Sequence, residues 1–82
     1  MAFSFQIAKP QDVKGRLKST ERDIINGGGS FAGDEKSGSF SGGGVSGTYT
    51  VEASSVKIVI TKKPLLYPEA VVRSKITEYF SD

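Results

Sequence analysis

Gly29-Ser30-Phe31-Ala32-Gly33 is followed, after Asp34-Glu35-Lys36-Ser37, by the near copy Gly38-Ser39-Phe40-Ser41-Gly42. The four residues between the copies are strong turn formers. A hairpin closed there sets Gly33 opposite Gly38 and Phe31 opposite Phe40. A cross-strand aromatic pair fixes the register of strands that glycine would otherwise leave loose. Residues 27–47 hold nine of the ten glycines, so this is the stretch that decides the fold.

Two further turns extend the pattern. Gly43-Gly44 suits a two-residue turn with positive φ at both positions. Phe40 then faces Gly47, where its ring covers bare backbone. Ser41 faces Ser46, and Ser39 faces Thr48. A four-residue turn at Glu52-Ala53-Ser54-Ser55 sets Val51 against Val56 and Tyr49 against Ile58. All three registers agree on one apolar side, bearing Phe31, Phe40, Tyr49, Val51, Val56, Ile58 and Ile60. The other side carries Ser39, Ser41, Ser46, Thr48, Thr50, Lys57 and Thr61, with Val59 the exception. A slip of one residue in any hairpin destroys this agreement.

Outside the meander the periodicities are simple. Phe3, Phe5 and Ile7 alternate with Ser4, Gln6 and Ala8, which predicts a first strand with one buried face. This strand is expected beside the Val56 to Ile60 strand, which makes the first helix a crossover. Pro10 and Asp12 suit the first turn of that helix, and Val13, Leu17, Thr20 and Ile24 share one of its faces. Asn26-Gly27 is the expected stop. Near the end, Pro68 opens a second helix with Glu69 in its first turn and Val72, Ile76 and Phe80 on one face, Tyr79 beside them. The reading is a single α+β domain over residues 1–82. It is a two-layer sandwich, an antiparallel sheet in β-α-β-β-β-β-α order with both helices on one face.

Composition narrows the chemistry. The 82 residues contain no histidine and no cysteine. That removes the usual neutral-pH acid–base group, the commonest metal ligand, thiolate chemistry and the usual catalytic triads. Asp34-Glu35 reads as a solvated turn, and Glu52, Glu69 and Glu78 lack metal-ligand spacing. Gly42, Gly44 and Gly47 match G-x-G-x-x-G, but Thr48-Tyr49-Thr50-Val51 follows as a strand, whereas a dinucleotide site needs a helix there. The expectation is no catalytic residue, no metal, no cofactor and no enzyme. The N-terminal string Met1-Ala2-Phe3-Ser4-Phe5-Gln6 has no signal-peptide pattern, and no stretch has the length of a membrane span, so a cytoplasmic domain is expected.

Two surface readings remain. Leu65, Leu66 and Tyr67 form an apolar loop between Pro64 and Pro68. With Val72 and Ile76 they are the candidate apolar ligand site, the plainer reading being a plug at the end of the core. Lys57, Lys62 and Lys63 are read as lying near one sheet edge, where lysines block unwanted pairing; the alternative is contact with nucleic acid or another anionic surface. A net charge of +2 is weak support for such a partner, and nucleic acid is not favoured.

From Gly33 onward the chain resembles the small bacterial proteins of the polyhydroxyalkanoic acid system family. Gly33-Asp34, Phe40, Gly44-Val45-Ser46-Gly47-Thr48-Tyr49-Thr50-Val51, Val56-Lys57-Ile58, Leu65-Leu66 and the final amphipathic segment carry the resemblance. The glycine triplets and Lys62-Lys63-Pro64 depart from it, because the family looks more apolar there. The resemblance implies association with storage-polyester granules, with no catalytic residues to transfer, and the leading reading of the chain is a non-enzymatic accessory or binding domain. The element order also looks like a reduced helix-grip, START-like fold, whose members bind apolar ligands.

Overall fold

The computed structural model describes residues 3–80; Met1 and Ala2 of the N-terminal string lie outside the described residues. The alternation at Phe3, Phe5 and Ile7 forms β1 (Phe3–Ala8), with Phe5 and Ile7 buried. The helix α1 (Val13–Asn26) starts later than the sequence suggests. Asp12 is its N-cap, and its carboxylate accepts from the Gly15 amide at 3.0 Å. An aspartate at this position satisfies an otherwise orphaned N–H, which leaves Pro10 buried in the preceding connection rather than in the first turn. Leu17, Thr20 and Ile24 form the buried face. The helix ends at Gly27, but the left-handed residue is Gly28, with φ of 89°.

The four strands of the meander are β2 (Ser30–Gly33), β3 (Ser37–Gly42), β4 (Val45–Val51) and β5 (Ser55–Lys62). Phe31 is opposite Phe40 and Gly33 opposite Gly38. Phe40 is opposite Gly47, Ser41 opposite Ser46 and Ser39 opposite Thr48. Tyr49 is opposite Ile58 and Val51 opposite Val56. Gly43 and Gly44 close their turn at φ of 61° and 84°, a conformation that a two-residue hairpin demands of both central residues. The sheet runs β1-β5-β4-β3-β2 and is antiparallel throughout. One irregularity was not legible in the sequence. Between Ser46 and Gly47 the register shifts, so that Ser46 pairs with Lys62, and the Thr61 hydroxyl donates to the Ser46 carbonyl at 3.2 Å. The shift leaves Thr61 without a partner in the ladder, as a β-bulge does.

The helix α2 (Glu69–Phe80) begins one residue after Pro68, whose carbonyl accepts from the amides of Val71 and Val72. Both helices pack on the apolar face of the sheet, giving the α+β two-layer arrangement. The core joins Phe5, Ile7, Phe40, Tyr49, Val56, Ile58 and Ile60 of the sheet to Leu17, Ile24, Val72, Ile76 and Phe80 of the helices. Phe80 sits over the middle of the sheet, its ring 5.8 Å from Phe40 and 5.4 Å from Tyr49. Phe31 and Val51, at the margins of this face, are only partly buried. No helix among the described residues is long and apolar enough to cross a membrane.

The lysine reading requires a correction. The edge strands are β1 and β2, while β5, which bears Lys57 and Lys62, runs between β1 and β4. Lys57 is flanked by Gln6 and Thr50 on the open face of the sheet. Lys62 lies five residues further along β5, roughly 16 Å at the usual rise. Lys63 turns to the loop, its ammonium donating to the Tyr67 carbonyl at 2.9 Å. The three do not form one patch and none protects a sheet edge.

Candidate apolar cleft

A cleft of about 370 Å³ opens where α2, the end of α1 and the β3–β4 hairpin meet. Each element supplies a part. Ile24, on the buried face of α1, and Phe40, held by its pairing with Gly47, belong to its inner wall. Val45 closes the hairpin end. Val72 and Ile76 present the inward face of α2, with Tyr79 beside them; Tyr67, Val71 and Lys75 stand toward solvent. Gly27, Gly29, Gly42 and Gly43 also line it, and with no side chains they leave the volume open.

Phe40 is seated by a specific steric arrangement. A Cβ placed on Gly47 would lie 2.8 Å from Phe40 Cζ and 2.7 Å from the Val59 carbonyl. The glycine is therefore what lets the ring lie down on β4. A second aromatic is treated the same way one row further along. A Cβ on Gly38 would lie 2.6 Å from the Tyr49 ring. The Tyr49 ring stacks on Phe31 at 5.6 Å, and its hydroxyl donates to the Asp34 carbonyl at 2.7 Å. Burial of this phenol, with a smaller contribution from the nearby charges of Asp34 and Glu21, pushes its pKa up to about 12. The Asp34 carboxylate is held below its ordinary range by the amides of Lys36 and Ser37, which donate to it at 2.8 and 3.1 Å. It serves the turn and is fully exposed.

The structure brings together three of the five residues expected at an apolar site. Tyr67, Val72 and Ile76 all line the cleft. Leu65 and Leu66 do not. They are 93% and 92% exposed, so they neither line the cleft nor plug the core. The cause is local: the Tyr67 amide donates to the Pro64 carbonyl at 3.1 Å, closing a β-turn with the two leucines at its central positions. A β-turn projects those positions outward. Sequence reasoning did not reach Ile24, Phe40, Val45, Val71, Lys75 or Tyr79 as cleft residues. Their spacing marks them as core or surface, and only the splay of α2 from the hairpin turns them into a lining.

The cleft residues include one charged side chain, Lys75, and no carboxylate. Among the described residues no three carboxylates gather into a metal-binding group. Of the glycines that match a dinucleotide fingerprint, Gly42 ends β3, Gly44 lies in the hairpin turn and Gly47 lies within β4. No protein-family model, no curated protein and no solved structure matches this chain.

Proposed function

We propose that this domain is a non-enzymatic binding module that takes the chain of a carboxylate-bearing apolar ligand, of fatty-acyl or hydroxyacyl type, into the cleft. One observation carries the reading: an apolar cleft of about 370 Å³ whose single charged lining residue is a lysine. The volume lies within the range of small-molecule sites. The chain would lie along Val72, Ile76 and Phe40, and the carboxylate would meet Lys75 at the mouth. Hydrogen bonds from Tyr67 or Tyr79 hydroxyls would suit a hydroxyacyl chain, which is also the monomer chemistry of the storage polyesters implied by the family resemblance. The absence of histidine and cysteine from the sequence favours binding over turnover.

Amide shifts followed during titration with decanoate and 3-hydroxydecanoate test this reading. The expected shifts cluster on Val45, Tyr67, Val71 and Lys75. Lys75 is exposed, so Lys75→Gln leaves the fold intact. It is expected to weaken decanoate binding by about fivefold, the upper end for an exposed ion pair, and to leave the methyl ester unaffected. No shift at millimolar ligand, or shifts scattered over the open face of the sheet, would reject the cleft as the site.

A further inference from the structure

Leu65 and Leu66 stand almost fully in solvent on a turn that is built to stay in shape. Pro64 and Pro68 fix φ on both sides. The Tyr67 amide closes the turn, and the Lys63 ammonium ties down the Tyr67 carbonyl. Single exposed leucines are ordinary on a protein surface. Two adjacent leucines at the centre of a braced β-turn are not, because polar residues suit those positions better.

The charges around the turn point to what it meets. Between Glu52 and Glu69 the chain carries Lys57, Lys62 and Lys63 and no carboxylate. Lys62 is exposed directly before the turn, and Lys75 stands at the adjoining cleft mouth. Glu69, at the start of α2, is the nearest acidic residue along the chain. Apolar side chains at a tip with cations set behind them match the order of an anionic bilayer surface, with acyl chains beneath phosphate headgroups. Binding at such an interface scales with the apolar area inserted and with the attraction of cations to anionic lipid, and this turn offers both.

We propose that the Leu65-Leu66 turn inserts into the interface of an anionic phospholipid bilayer, with Lys62 and Lys63 at headgroup level. The braced turn loses little conformational freedom on insertion, which favours the bound state. No membrane span is needed for this mode. It uses the turn and not the cleft interior, so it stands or falls separately from the ligand reading.

The chain has no tryptophan, which gives a clean reporter. In Leu65→Trp, vesicles of equimolar phosphatidylcholine and phosphatidylglycerol are expected to shift the emission to the blue, and brominated acyl chains to quench it. Phosphatidylcholine vesicles should do neither. Leu65→Ser with Leu66→Ser should lower vesicle affinity at least tenfold with an unchanged melting curve, since both side chains are already in water. Lys62→Gln should weaken binding by about fivefold. Glu69→Gln should strengthen it, and Lys57→Gln, far along β5, should leave it unchanged. Added salt should weaken it.

Equal binding to neutral vesicles or to uncharged polyester particles overturns the proposal, as does an equal loss from Lys57→Gln. Self-association in vesicle-free sedimentation that the double serine variant abolishes also overturns it, by assigning the turn to a second copy. An unshifted tryptophan on anionic vesicles does the same. The double serine variant must still show the decanoate shifts at Lys75 if the cleft binds ligand, so either reading can fail alone.

Discussion

Tyr49 is where polarity and burial conflict most sharply in this molecule. Its ring is 1% exposed, yet its hydroxyl must find a partner, and it finds the Asp34 carbonyl. A phenol whose pKa is raised in the fold to about 12 favours the folded state while neutral. The sign follows from linkage. Its contribution is whole below the unfolded value of about 10 and declines as pH rises through the folded value. Thermal stability is therefore expected to fall between pH 10 and 12, by an amount on the order of 2 kcal/mol from this one group. Tyr49→Phe should flatten that part of the profile, and at neutral pH should cost about 1 kcal/mol for the lost hydrogen bond. Melting curves of both proteins across this range check it. An identical alkaline slope in the variant would assign the loss to other groups.

At the scale of elements, the β3–β4 hairpin and the loop after β5 act as one unit. Gly44 holds φ of 84°, and a Cβ there would approach Pro64 Cγ to 3.0 Å. The turn conformation and the proline that opens the leucine turn both depend on the missing side chain. Gly44→Ala is expected to destabilise the domain by about 1–2 kcal/mol through left-handed strain. It should also shift the amides of Lys63 and of residues 65–67, because Pro64 must move. Denaturant midpoints and a two-dimensional amide spectrum test both parts. A stability loss without loop shifts would separate the hairpin from the loop. The strands themselves were legible in the sequence because turn chemistry and period-two alternation name the same residues three times over. The bulge that leaves Thr61 unpaired was not, since Gly47 beside it read as the seat of the Phe40 ring and not as the mark of an irregularity.

Across the whole molecule, one buried hydroxyl joins the two helices. Thr20 is 1% exposed and donates toward the carbonyls of Arg16, 2.8 Å away, and Tyr79, 2.5 Å away, its one proton shared between them. Thr20→Val keeps the shape and strips the partner from the Tyr79 carbonyl near the end of α2. It is expected to cost about 1–3 kcal/mol, with the denaturant slope unchanged, and Thr20→Ser should recover part of the loss. An unchanged midpoint would mean the carbonyl finds another partner. The cleft belongs to this scale as well. Tyr67, Val72 and Ile76 were legible as apolar residues near one end, because helical spacing and the bracketing prolines display them. Lys75 and Val71 carry no such signal: on the sequence they are an ordinary exposed turn of helix. Leu65 and Leu66 read as part of an apolar site or as a core plug because hydrophobicity is all a sequence shows of them, whereas a single backbone hydrogen bond between Tyr67 and Pro64 sends them outward. The sequence alone determined element order, the register of the hairpins up to the bulge and the apolar face, for those follow from local turn geometry and side-chain period, which act over a few residues. Tertiary structure alone decided which apolar residues are core, which line a cleft and which face water, because that depends on how α2 leaves the hairpin, a relation between segments distant in the chain.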